Sequence, residues 1–341
     1  MAAVAAAFLF ALALALALTP ACGWLARRLG ILDMPAPRKL HRLPVPLLGG
    51  VAVYFSFAAA TLAFARPVND LHTVLLLAGA AAFGLIGVLD DLLSLSVARL
   101  AAEAAVVAGI VWLGDFRAGL PWPYLGHLLA VGWIVGVANA FNCLDCADGT
   151  ASGAATVGSL ALAAVAALLE RWAVATAAAA VAGASLGFLR YNFPPARIFL
   201  GDSGSLVLGF LLSALTAALA TSARSPWELL ALAVVLALPV YDFLLVHWRR
   251  YRAGVRNLLD IMASTGKDHL PHRLLAAGLS PRAAALRVYC ASALLGVAAF
   301  SAVVWGPAAL LSGAAVAGAG LAVVLRASPP SKRAQPSGQS S

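Results

Sequence analysis

The sequence predicts an all-α polytopic membrane protein, a bundle of about eleven transmembrane helices with its amino terminus outside and its carboxyl terminus in the cytoplasm. Three observations carry this expectation. Of 341 residues, 62% are hydrophobic and 11% charged, with a mean hydropathy of +0.93; soluble domains carry roughly 45–50% apolar and about 25% charged residues. The apolar residues fall into runs near the length of about 20 that a hydrocarbon core of roughly 30 Å requires of a helix. The basic residues segregate: with loops alternating across the bilayer, 19 of the 23 Lys and Arg fall on one face. The positive-inside rule makes that face cytoplasmic.

Dividing the chain at Gly, Pro and charge clusters gives spans at 2–24, 49–64, 71–89, 100–114, 123–139, 152–169, 172–188, 206–221, 227–247, 284–304 and 307–325. No Lys or Arg precedes the first apolar run, and Arg27 and Arg28 follow it. That charge order belongs to a retained helix rather than a cleaved leader. Pro239 is expected to kink the ninth span. Residues 1–327 read as one membrane domain, and the Ser-, Pro- and Gln-rich stretch 328–341 as a disordered cytoplasmic tail. No internal repeat suggests the two-halves design of many transporters. The net charge of +9 reflects membrane topology, so no nucleic-acid partner is expected.

Ten of the fourteen Asp and Glu lie at the basic face or its membrane edge, where ionisable groups are costly and usually functional. Asp90 and Asp91 adjoin where the third span emerges; such a pair can bind a divalent cation, or one member can accept a proton. The run from Asn139 through Asn142, Asp145 and Asp148 to Gly149 offers only oxygen donors, a set suited to a hard cation such as Mg²⁺, though an Asx-rich turn has the same composition. Within it Cys143 and Cys146 have no second cysteine pair nearby, and structural zinc usually needs four ligands, which sets zinc aside. Gly201-Asp202-Ser203-Gly204 opens the eighth span as an anion cradle or an ordinary helix cap. The long loop before the tenth span carries Asp242 at its edge, several arginines, and His269, His272 and Arg273, which suit phosphate recognition. Together these describe phosphoryl transfer involving a lipid acceptor at the cytoplasmic face.

The motifs resemble those of the polyprenyl-phosphate N-acetylhexosamine-1-phosphate transferases, which include the bacterial GlcNAc-1-phosphate and phospho-MurNAc-pentapeptide transferases. The likeness covers most of the chain: Asp33-x-Pro35-x-x-Arg38-Lys39-x-His41 with Pro44 to Gly50, Asp90-Asp91, Asn139 to Gly149, Asn192 with Phe199 to Leu206, Pro239-x-x-Asp242, and Asp268 to Leu274. It implies that a polyprenyl phosphate attacks a UDP-sugar in a bacterial inner membrane, giving a polyprenyl diphosphate-sugar and UMP. This would be the first membrane step of a cell-envelope glycan pathway. By residue match, Asn142 and Asp202 are implied as ligands of Mg²⁺, or of Mn²⁺ in its place, and Asp90 and Asp91 as the catalytic pair. Lys39, Asn139, Asp145, Asp148, Asn192, His269, His272 and Arg273 are implied contacts of the nucleotide and sugar diphosphate. A homodimer is also implied.

Two departures stand out. Cys146 replaces a common Gly, and His269-Leu270-Pro271-His272 lacks a middle imidazole. The pentapeptide branch tends to carry three consecutive histidines there, so a GlcNAc-type donor is expected over phospho-MurNAc-pentapeptide. The rival class is a cation-coupled transporter, which would place its carboxylates near the bilayer midplane rather than at one edge. A CDP-alcohol phosphotransferase would need an Arg that the stretch from Asp148 to Gly153 lacks.

Overall fold

A computed structural model describes residues 1–35, 43–65, 70–93, 95, 97–120, 122–223, 225–255, 268–306, 308, 309 and 318. Its helices are α1 (Ala2–Leu29), α2 (Gly49–Phe64), α3 (Leu71–Leu93), α4 (Val97–Leu113), α5 (Pro123–Leu144), α6 (Thr150–Leu168), α7 (Trp172–Asn192), α8 (Gly201–Ala220), α9 (Pro226–Val235), α10 (Ala237–Arg252), α11 (Leu270–Ala276) and α12 (Pro281–Trp305). One small ladder, β1 (Leu32–Asp33) paired antiparallel to β2 (Val45–Pro46), interrupts the otherwise all-α architecture.

Among the described residues seven helices are long and apolar enough to cross a membrane: α1, α3, α5, α6, α7, α8 and α12. The pair α9 and α10 makes an eighth if taken as one broken span. The first ten expected spans each have a helix in their place, but α2 and α4 reach only 16 and 17 residues. At 1.5 Å per residue, helices of that length fall short of the hydrocarbon core unless the bilayer thins or polar ends reach out. The expected eleventh span, 307–325, lies outside the described residues apart from 308, 309 and 318, and so does the tail 328–341.

The ninth span is broken rather than kinked at Pro239: α9 and α10 meet at 78°, with Leu236 between them. Pro239 sits in the first turn of α10, where its missing N–H would have no helical partner anyway. Its ring cannot follow a continuous helix past the carbonyl four residues earlier, so the break falls N-terminal to it.

α8 is the axis of the bundle, buried along most of its length and packed against α2, α3 and α5. Two glycines let its first turn come close. Gly87 on α3 and Gly50 at the start of α2 lie so near the backbone of Ser203 and Gly204 that neither has room for a Cβ. The loop before α8 is pinned by Phe199 N–H to Pro46 O at 2.8 Å, Gly49 N–H to Phe199 O at 3.1 Å and Gly50 N–H to Leu200 O at 3.0 Å. These contacts place Asp202 against the end of α3. Buried hydroxyls mostly return to their own helix: Thr19 to Ala15 O, Ser56 to Ala52 O, Ser159 to Ala155 O, Ser185 to Val181 O and Ser213 to Gly209 O. Each thereby satisfies its donor within its own helix, and Ser185 Oγ also accepts from Thr156 Oγ1 of α6 at 3.1 Å.

Candidate active site

The polar groups gather where the ends of α3 and α5 meet the starts of α4 and α8. Asp91, at the end of α3, accepts a hydrogen bond from the backbone N–H of Asp202 at 3.2 Å, so its carboxylate caps the amino end of α8. Such an end carries free N–H groups and partial positive charge, which stabilise a carboxylate there. Asp90 turns the other way and accepts the Leu95 N–H at 2.6 Å, closing the turn into α4.

From α5, Asn142 donates to Asp202 Oδ1 at 2.7 Å and to Ser205 Oγ at 3.1 Å. Asn139, one turn earlier, is buried and donates to Glu103 Oε2 at 2.5 Å. Arg99 fills the space between these groups. Its guanidinium donates to Asn142 Oδ1 at 3.2 Å and Asn139 Oδ1 at 3.0 Å, and lies 3.4 Å from Asp90, 3.5 Å from Glu103 and 3.8 Å from Asp202. Asp145, the residue closing α5, is half-buried; loss of water around it, then the charges of Asp202, Asp91 and Asp148, push its pKa well above the usual carboxylate range.

Among the described residues no three carboxylate, imidazole or thiol side chains converge to hold a metal ion. Asp202 and Asn142 nevertheless fit one hard cation: both offer oxygen, and the point they share already attracts a positive charge, that of Arg99. Two protein ligands suit Mg²⁺, which keeps waters and takes substrate phosphates in its remaining positions. The cysteines are free thiols. Burial, then the Asp242 and Asp145 charges, raises Cys146 well above its ordinary pKa, which makes an unreactive thiol.

A second group lies around the turn between α5 and α6. Asp148 accepts the Ala196 N–H at 2.9 Å. Asn192 spends its side chain inside the protein, accepting from Gly149 N–H at 3.1 Å and Ser152 Oγ at 2.8 Å and donating to Ile198 O at 3.0 Å. It is 2% exposed, so it braces the loop that precedes α8; a direct diphosphate contact would need this burial to be relieved so that its second amide N–H is reached. Beside this turn is a cavity of about 630 Å³ lined by Val45, Asp148, Pro195, Phe199, Leu275 and Arg282, among others. Its size is in the range of small-molecule sites.

Over the same end stands the segment leading into α11. His269 is buried and its Nδ1 pairs with Asp242 Oδ2 at 2.9 Å, while Asp242 Oδ1 accepts the Leu270 N–H at 2.7 Å. Burial opposes the charged imidazole, but the Asp242 bond and charge, with a further contribution from Cys143, hold its pKa up at about 9. Arg250 grips Asp268 with two bonds of 3.0 and 2.8 Å. Burial works against the Asp268 carboxylate, yet Arg250 keeps its pKa below the usual range. His272 and Arg273 lie on α11, where Arg273 Nη1 is buried without a hydrogen bond among the described residues.

Of the expected site residues, the structure thus brings Asp90, Asp91, Asn139, Asn142, Asp145 and Asp202 together. Asp148 and Asn192 lie on the adjoining loop, and His269, His272 and Arg273 on the covering segment. Lys39 lies outside the described residues. Arg99 and Glu103 are additional members. Their signal in the sequence is an Arg–Glu pair at i,i+4 opening an apolar helix, where charges are expensive unless paired inside the bundle.

Comparison with known proteins adds independent findings. Residues 73–221 match the profile of glycosyl transferase family 4. The chain is similar to a probable undecaprenyl-phosphate N-acetylglucosaminyl 1-phosphate transferase of Bacillus subtilis, at 32% identity over 89% of this chain and 87% of that protein. It is similar to a decaprenyl-phosphate N-acetylglucosaminephosphotransferase of Mycobacterium tuberculosis, at 32% identity over 88% and 83% of the two. A phospho-N-acetylmuramoyl-pentapeptide-transferase of Bacillus mycoides matches at 32% identity over 50% of this chain and 59% of its own length.

Proposed function

This chain belongs to glycosyl transferase family 4, and within that family we propose that it is a multi-pass membrane enzyme that transfers GlcNAc-1-phosphate from UDP-GlcNAc to undecaprenyl phosphate, releasing UMP. The observation that carries this reading is the meeting of Asp91, Asn142 and Asp202 at one end of the bundle, with Asp148 of the adjoining turn lining a cavity of about 630 Å³. The relatives matched over more than four fifths of both chains are named for N-acetylglucosamine transfer, whereas the pentapeptide relative matches half of this chain.

In this reaction a phosphate oxygen of the lipid attacks the sugar-bearing phosphorus of the donor. A new P–O bond forms as the bond to the bridging oxygen breaks, and that oxygen leaves with UMP. There is little covalent work for the protein to do, so catalysis is mostly positioning and charge neutralisation. A bound Mg²⁺, held by Asp202 and Asn142, would neutralise the diphosphate. Asp90 and Asp91, fixed by backbone N–H groups, hold the acceptor phosphate in line and keep its attacking oxygen unprotonated. The cavity takes the uridine, with the Phe199 ring and Asp148 at its wall. His269, cationic at neutral pH through Asp242, adds its charge beside the sugar diphosphate at the start of α11, the helix that carries His272 and Arg273.

The 78° break between α9 and α10 is where the polyprenyl chain would enter from the bilayer. The segregation of basic residues supports a cytoplasmic position for this end, with the amino terminus outside, and the similarity to bacterial membrane transferases supports a bacterial inner membrane. The test is UMP release by purified protein in detergent with undecaprenyl phosphate and Mg²⁺, across UDP-GlcNAc, UDP-GalNAc and UDP-MurNAc-pentapeptide. Lipid- and Mg²⁺-dependent UMP from UDP-GlcNAc is expected. UMP from the pentapeptide donor alone would move the chain to the other branch, and none from any donor would overturn the reading.

A further inference from the structure

Arg99 stands where a metal would bring its charge. It touches Asp202 and both Asn142 and Asn139, and its side chain is 16% exposed. Behind it lies Glu103, fully buried, with Oε2 engaged by Asn139 and Oε1 without a hydrogen bond. Arg99 Nε is also buried without a hydrogen bond, and these two orphaned atoms are 3.5 Å apart. A buried donor and acceptor left unmade at such close range are costly. A small movement of the guanidinium away from Asp202 and Asn142 would join them. The forward contacts compete with a metal, while the rear contacts with Glu103 and Asn139 do not.

We propose that Arg99 is a resident counter-cation that exchanges with the divalent metal: it occupies the Asp202–Asn142 pair in the metal-free protein and withdraws onto Glu103 when the metal enters. The inference rests on the reading of Asp202 and Asn142 as metal ligands. In the metal-free state the forward position keeps Asp90 and Asp202 from facing each other uncompensated. In the loaded state the guanidinium remains tethered beside the metal, and Glu103 balances its charge within the bundle.

The experiment measures Mn²⁺ binding to the full chain in detergent, without substrates, by the EPR signal of free Mn²⁺. In Arg99→Met, removal of a full charge within about 4 Å of a ligand should tighten binding by about tenfold or more. Arg99→Lys should also bind more tightly than the native protein. It keeps the charge but loses the planar fork that spans Asn139 and Asn142 together. Glu103→Gln should bind more weakly, because the withdrawn position loses its counter-charge. In EDTA, Arg99→Met should melt below the native protein and gain more on adding Mn²⁺. If Arg99→Met does not fold, Arg99→Lys and Glu103→Gln carry the test. Equal affinity in the native protein and Arg99→Met, both lost in Asp202→Asn, would keep the metal site and overturn the exchange. Native-like affinity in Arg99→Lys would reduce Arg99 to a long-range field and overturn it too. Mn²⁺ binding in no variant would remove the metal reading and the exchange together.

Discussion

Two regions make up this end of the bundle, and they are built differently. The first, where α3, α4, α5 and α8 meet, draws its carboxylates and amides from helix ends locked by close packing. Gly50 and Gly87 seat the start of α8, and Arg99 stands among Asp90, Glu103 and Asp202. The second, where α11 and α12 border the cavity and α10 stands behind them, carries discrete polar ties: Asp242 to His269, Arg250 to Asp268, and Arg282 to Pro194 O at 3.0 Å. Close backbone packing sets the first region, whereas the second adds these polar ties to its apolar packing. Under the proposed function, reaction geometry belongs to the packed region and substrate retention to the tied one, since pairs of charges can open and re-form where interlocked backbones cannot.

Three substitutions probe that division, in order of expected effect. Asp202→Asn should lower UMP release by about a thousandfold or more, the scale of removing a principal charge-stabilising group. Its melting temperature should stay near that of the native protein, because the amide still reaches Asn142. Near-native activity would move the chemistry out of the packed region.

Asp242→Asn keeps an acceptor for the Leu270 N–H but removes the charge facing His269. Leaving one member of a buried pair uncompensated costs about 3 kcal/mol, and thermal unfolding should show it. The pH dependence has a definite sign. The folded-state pKa of His269 is raised to about 9 from 6.5, so the pair stabilises fully below about pH 6.5 and its contribution fades as pH rises through about 9. The native protein should lose stability across that window and Asp242→Asn should not. An identical loss in both would mean that the covering segment is held by something else.

Arg282→Ala gives the smallest effect. It removes one hydrogen bond to the cavity wall, so the KM for the UDP-sugar should rise about threefold to tenfold with little change for the lipid. Equal rises for both substrates would erase the distinction between the two regions.

The two regions were also unequally legible. Asp90, Asp91, Asn142 and Asp202 can be read from sequence because each lies in a short polar run at the edge of an apolar one. Arg99 and Glu103 escape that reading: their i,i+4 spacing shows a pair, but the amides they join are 40, 43 and 36 residues away, and only packing brings them together. In a chain that is 62% hydrophobic, most helices are apolar all round, so periodicity does not tell which faces meet. The same limit hid the role of Asp242, whose partner His269 is 27 residues on. The spans were legible as runs of hydropathy, yet the shortness of α2 and α4 and the division of the ninth span at Leu236 depend on local geometry that hydropathy does not encode.

The inward return of the buried hydroxyls has one more consequence. Because Thr19, Ser56, Ser159 and Ser213 bond within their own helices, much of the cohesion between helices rests on the fit of Ala and Gly surfaces, which lateral pressure from the surrounding lipid helps to maintain. Extraction into a loosely packing detergent would therefore relax the bundle by gradual slippage rather than by rupture of particular bonds. Added native lipid would restore it in the same graded way.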